Sequence, residues 1–341
     1  MEKTQLKKRN YGIDIARILA MLMVVFLHNL LQGGVLKLDN VHLLDLSYWY
    51  IENLAIVAVN LFAMISGYLL VDKLWKPSKI FSLWRQVVFW SVMTTIISMV
   101  ILQSYDFRNL VKAAFPLVFK QYWYFNAYVV LFMVIPFLNA GFSFLSERTV
   151  RFVILALLGL SVTVGYIGNL FELNGYSGFW LILMYMAGAW IKLYGNEKIH
   201  LKIRWLLFLY FSGAVVSLIG EYISLNYIGH TLSWIAYNSP IVVIQTVALF
   251  QGLQKVKIFN TRLQNILKLI SLLTFAVYLI GGNPLFFNNI LKNSFRFIQR
   301  ISFIKGMSII MVASIGMFLA FVILDYIRKR LIYLARCALR F

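Results

Sequence analysis

The stretch "GIDIARILAMLMVVFLHNLL", residues 12–31, has the length and apolarity of a membrane-spanning helix, yet it carries an acid, a base and a histidine. About 20 apolar residues rising about 1.5 Å each cross a hydrocarbon core of about 30 Å. Successive helical residues are about 100° apart, so Arg17 and His28 project within about 20° of each other and Asp14 about 40° from His28. One face therefore carries all three, with His28 roughly 16 Å along the axis from Arg17. Ionisable groups at such depth cost about 2.5–3.5 kcal/mol on insertion scales, and they face a protein interior or a water-filled cavity. The stretch predicts the first span of a bundle with a polar interior.

The remainder of the chain agrees. Of 341 residues, 61% are hydrophobic and 13% charged, with a mean hydropathy of +0.80, far from the balance of a soluble domain. Runs such as "VNLFAMISGYLLV" and "SIIMVASIGMFLAFVIL" are apolar on every face, whereas barrel strands alternate over about 10 residues. The expected class is all-α, a polytopic membrane protein of about ten transmembrane helices. Their expected positions are 13–33, 48–71, 86–103, 122–142, 152–170, 177–194, 205–223, 232–252, 267–287 and 306–327.

The net charge of +20 acquires its meaning from this topology. With the N-terminus inside, 24 of the 32 Lys and Arg fall on the inner side, as the positive-inside rule requires, so both termini are expected in the cytoplasm. The basic excess is thereby explained without a nucleic-acid partner. One outer segment, "KNSFRFIQRISFIK", breaks the pattern: Lys292, Arg296, Arg300 and Lys305 alternate with apolar residues. It reads as a surface-lying amphipathic segment that could also touch an anionic substrate.

The first helix follows "KKR" but is too long for a secretory signal and has no small-residue cleavage site, so it reads as an uncleaved span. Cys337 is the only cysteine, which excludes an intramolecular disulfide and a cysteine-based metal site. No phosphate loop, dinucleotide fingerprint or two-His zinc motif occurs, so no metal is expected, and His42, His200 and His230 are isolated and read as solvated. Residues 1–341 read as a single membrane domain with no separate soluble domain.

Helix 2 begins outside, and its Glu52 lies at a depth similar to His28. A His28–Glu52 pair would fix the imidazole tautomer, the arrangement a general base on a hydroxyl requires. Each residue alone has an ordinary reading. His28 can be packing, Arg17 an inner-surface anchor and Glu52 a carboxylate snorkelling to water, while Asp14 can complement a helix N-terminus.

Together they resemble something particular: "GIDIARILAMLMVVFLH" is similar to the opening helix of acyltransferase family 3, integral-membrane O-acyltransferases with an arginine, ten residues and then a histidine in the first helix. Arg17 and His28 satisfy that spacing. "NLFAMISGYLL" at 60–70, "KIFSLWRQVVFW" at 79–90 and "QYWYFNAYVVLFMVIPFL" at 121–138 resemble the family's following segments in order. One departure stands out: the family's late histidine after a Tyr-Leu-Ile-like run is replaced here by Gly281, with Asn283 the candidate for a replacement hydrogen bond.

The resemblance implies transfer of an acyl group, usually acetyl, from cytoplasmic acyl-CoA as donor substrate to a hydroxyl of a surface polysaccharide or lipid-linked glycan, in the plasma membrane and with no permanently bound cofactor. Under that reading Arg17, Lys79 and Arg85 meet the CoA phosphates, His28 is the general base with Glu52 beside it, and Asp14 has a structural, orienting role. Trp123, Tyr124 and Asn126 offer a rim for the acceptor sugar, although an interfacial aromatic belt is an equal reading of the first two. The alternatives are a transporter or flippase for a lipid-linked glycan, with "NSPIVVIQ" (Pro240, Gln245) lining its path, and a glycan polymerase. The absence of an internal repeat counts against the first, and short outer segments count against the second.

Overall fold

A computed structural model describes residues 9–36, 45–168, 173–195, 198, 200–228 and 233–338; among these every regular element is helical. His42 and His230 lie outside the described residues, and His200 is exposed. Among the described residues thirteen α-helices of eight residues or more follow one another: α1 (Tyr11–Leu31), α2 (Leu46–Ala55), α3 (Ala58–Leu70), α4 (Ser78–Leu102), α5 (Phe107–Ala114), α6 (Trp123–Phe144), α7 (Glu147–Leu160), α8 (Gly178–Trp190), α9 (Ile203–Ile223), α10 (Pro240–Gln254), α11 (Thr261–Ser271), α12 (Thr274–Gly281) and α13 (Phe303–Ala338). π turns at Ser161–Gly165 and Ser224–Ile228 extend α7 and α9.

Among the described residues, eight helical stretches are long and apolar enough to cross a membrane, with α2–α3 and α11–α12 each counting as one. Two of the ten expected spans are shorter. Residues 177–194 form α8, 13 residues followed by a π turn, and 232–252 becomes α10, 15 residues starting at Pro240. At about 1.5 Å per residue α10 reaches about 22 Å, short of the hydrocarbon thickness, and α8 with its π turn about 27 Å. Pro240 explains the late start of α10, because proline has no N–H and its fixed φ suits the first helical turn.

Both short helices are core elements. α3 and α8 cross at glycines: a Cβ on Gly67 would stand 1.9 Å from the Tyr185 carbonyl oxygen, and one on Gly188 2.0 Å from that of Met64. This reciprocal approach lets two backbones touch where lipid offers no hydrophobic drive for association. The bundle's outside is apolar, as lipid demands, with Phe137, Phe152, Phe208, Val312 and Ile323 all exposed.

α1 is the central helix, packing on α2, α3 and α10 through α13. The side chain of Asn10 caps its start by accepting from the Gly12 N–H at 2.9 Å and donates to the Gln254 carbonyl at 2.9 Å, tying α1 to the end of α10. Two of its neighbours are interrupted, α2–α3 at Ile56–Val57 and α11–α12 at Leu272–Leu273. Neither break contains proline or glycine. Ile56 and Leu272 line an internal cavity, the setting in which irregular backbone is tolerated at membrane depth.

Candidate functional site

The polar stripe of α1 faces a cavity of about 610 Å³, a volume in the range of small-molecule sites. Arg17, Met21, Val24, Leu27, His28, Leu31 and Gln32 line it, a run of about 22 Å along one helix face. Phe62 and Ser66 of α3, Tyr124 and Tyr128 of α6 and Phe275 and Tyr278 of α12 close the other sides. The walls are aromatic. Trp123 stacks on Tyr237 with ring centroids 5.9 Å apart and tilts against Tyr176 at 4.6 Å.

At the Arg17 end, Asp14 is fully engaged elsewhere. Arg9 Nε and Nη2 donate to its two carboxylate oxygens at 2.6 Å each, and Ser271 Oγ donates to Oδ1 at 2.7 Å. Asp14 thus pins the chain before α1 and the end of α11 together. Arg17 is left with no ion pair or hydrogen bond among the described residues, and its guanidinium faces the cavity beside Tyr124 and Tyr128. A guanidinium without a carboxylate partner in such a position is a ready anion site.

Asp325 organises the same end. It is wholly buried and accepts from Trp90 Nε1 at 2.8 Å and from Arg328 Nε at 2.6 Å. Gln86, which lines the cavity, donates to it at 3.5 Å. Lys329 Nζ donates to the Leu272 carbonyl at 2.9 Å. Lys79 and Arg85, expected at the donor phosphates, are exposed near the start of α4 and do not line the cavity; Leu83 and Gln86 face it instead, with Arg85 turned about 100° from Gln86 and Lys79 on their face but about 10 Å nearer the helix start.

At the other end, the His28 ring meets the edge of Phe287 at 4.8 Å, and Gln32 Nε2 donates to the Phe287 carbonyl at 3.1 Å. Among the described residues no group hydrogen-bonds the imidazole, so the cavity is its polar face. The expected His28–Glu52 hydrogen bond is not formed. Glu52 is wholly buried, both carboxylate oxygens lack a hydrogen-bond partner among the described residues, and it does not line the cavity. Equal depth on adjacent helices was not sufficient: Glu52 points into the packing of α2, within electrostatic range of Glu221, Tyr176 and Tyr237.

Of the expected acceptor rim, Trp123 and Tyr124 line the cavity, whereas Asn126 faces away and donates to the Leu117 carbonyl at 3.2 Å. Asn283 does not replace a histidine in the cavity. Its Nδ2 donates to the Ser91 carbonyl and Thr95 Oγ1, and its Oδ1 caps the next turn by accepting from Leu285 and Phe286 N–H. Sequence reasoning missed Tyr128, Tyr176, Tyr237 and Tyr278, which carry no local signature. It also missed Asp325, which did have one, an acid inside the apolar run "VILDYI".

The fold and cavity thus define a polytopic helical membrane protein whose first helix presents an arginine and a histidine to one internal chamber. The chain belongs to acyltransferase family 3: that family's sequence model, described as an acyltransferase domain, matches residues 10–329. Comparison with curated proteins and with solved structures gives no match.

Proposed function

We propose that this chain is an O-acyltransferase of the plasma membrane, taking an acyl group, usually acetyl, from acyl-CoA on the cytoplasmic side and passing it to a hydroxyl of a surface polysaccharide or lipid-linked glycan. The observation that carries the reading is the single α1 stripe that lines one cavity from Arg17 to His28. Arg17, which makes no ion pair among the described residues, takes a donor phosphate, with Lys79 and Arg85 adding positive potential outside that mouth. The acyl-pantetheine arm extends along Met21, Val24 and Leu27 toward His28.

There the neutral imidazole removes the acceptor hydroxyl proton as the oxygen attacks the thioester carbonyl. The tetrahedral intermediate collapses with cleavage of the C–S bond, and the imidazolium returns its proton to the leaving thiolate. Trp123, stacked on Tyr237, offers an aromatic face to the acceptor sugar, while Tyr124 lies beside Arg17. Purified His28→Ala protein should bind acetyl-CoA like wild type and lose about 10²–10⁴-fold in transfer rate. Near-normal ester formation by this variant at matched expression would refute the assignment and favour a transport path for a lipid-linked glycan.

A further inference from the structure

The basic segment after α12 is built onto the His28 end of the cavity. Asn293 N–H and Phe295 N–H donate to the carbonyls of Gln32 and Gly33, each at 2.9 Å, and Gln299 Nε2 donates to those of Gly34 and Val35. Gly34 allows this seat, with φ of +79° and a Cβ position only 2.6 Å from Asn293 Oδ1. Ile298 is wholly buried beneath the segment, packed with Leu30, Val35 and Tyr48.

What remains outward is amphiphilic. Lys292, Arg296 and Arg300 are exposed and make no ion pair among the described residues, and Arg296 and Arg300 are each followed in sequence by an exposed apolar residue, Phe297 and Ile301. The backbone connects this surface directly to Phe287, the ring against His28. Unpaired cations on an anchored backbone, beside exposed apolar side chains, suit an anion attached to a hydrocarbon chain better than a free ion, since one half of such a ligand meets each kind of group.

We propose that Lys292, Arg296 and Arg300 form a phosphate-binding platform for a lipid-anchored acceptor, holding its phosphate or diphosphate at the bilayer surface so that the attached sugar reaches the cavity beside Phe287 and His28. The acceptor role rests on the function proposed above; the binding itself does not.

The test uses the full chain in phosphatidylcholine nanodiscs with farnesyl diphosphate as probe. Wild type should bind it, more weakly at higher ionic strength, and Arg296→Gln with Arg300→Gln should weaken binding about tenfold or more. Arg296→Lys with Arg300→Lys should retain most of it, and Arg17→Gln, at the far end of the cavity, should leave it unchanged. Inorganic pyrophosphate should bind less tightly than farnesyl diphosphate. Equal binding by the double Gln variant and wild type overturns the platform, as does loss of binding in Arg17→Gln alone. Abolition of probe binding when phosphatidylglycerol is added to the discs also overturns it, since the segment is then a bilayer anchor. Failure of wild type to bind acetyl-CoA would sink the donor reading and leave the platform standing.

Discussion

Substitutions at the two ends of the cavity should act independently, each on a different kinetic constant. Arg17 and His28 are separated by about 16 Å along α1, with Met21, Val24 and Leu27 lining the cavity between them, and they share no hydrogen-bond partner among the described residues. Groups farther apart than about 7–10 Å without common partners combine additively to within about 0.3–0.5 kcal/mol. Arg17→Gln removes a charge-assisted contact of about 1.5–3 kcal/mol, a rise of about 10- to 150-fold in KM for acetyl-CoA. Because the phosphate contact is the same in ground and transition states, kcat should not move. His28→Ala should lower kcat by about 10²–10⁴-fold and leave KM unchanged. The double variant should then show the product of the two losses in kcat/KM to within about twofold. The assay is incorporation of label from radiolabelled acetyl-CoA, with the protein in nanodiscs and a native membrane extract supplying acceptor. A coupling above about 1.4 kcal/mol, tenfold in the cycle, would mean the residues act at one place. A fall in kcat for Arg17→Gln at saturating acetyl-CoA would likewise refute the division of labour.

Gly67→Ala should destabilise the bundle by about 1–3 kcal/mol or more, because the new methyl meets the Tyr185 carbonyl; an unchanged midpoint in thermal unfolding of the detergent-solubilised protein would contradict the α3–α8 crossing. Asp325→Ala should cost about 3–5 kcal/mol, since it strands Arg328 and the Trp90 indole N–H, while Asp325→Asn, which keeps an acceptor, should cost less; the same unfolding assay ranks them. Reporter fusions at the two ends of the chain should label on one side, the cytoplasmic one; opposite labelling would overturn the charge-based topology.

The sequence made the bundle and its polar stripe legible because both are local. A span is set by apolar length, and the shared face of Arg17 and His28 by the pitch of one helix. Partners across helices were not legible. Depth alone placed Glu52 beside His28, but which way α2 turns its carboxylate depends on packing against α9 and α10, where Tyr210 Oη donates to the Leu54 carbonyl and Gln245 Nε2 to that of Asn53. The number of spans was not fixed by composition either: eight helical stretches among the described residues are long and apolar enough to cross a membrane, and the other two expected positions hold shorter helices. Composition cannot separate a lipid-facing span from an apolar core helix, and the close approach of Gly67 and Gly188 to facing backbones marks α8 as the latter.

The breaks in α2–α3 and α11–α12 carry no proline or glycine to announce them, yet they are where the cavity lies. In a bilayer, a helix can open its backbone only where something polar or wet takes up the freed groups, and the cavity is the setting that accommodates these two breaks. The break at Leu272 also makes Asp14 matter beyond its own helix. Through Ser271 it fixes the last residue of α11, immediately before the break at Leu272. It thereby sets the position of Thr274 and Phe275 in the cavity wall while leaving Arg17, one turn further along α1, unpaired and available to a ligand.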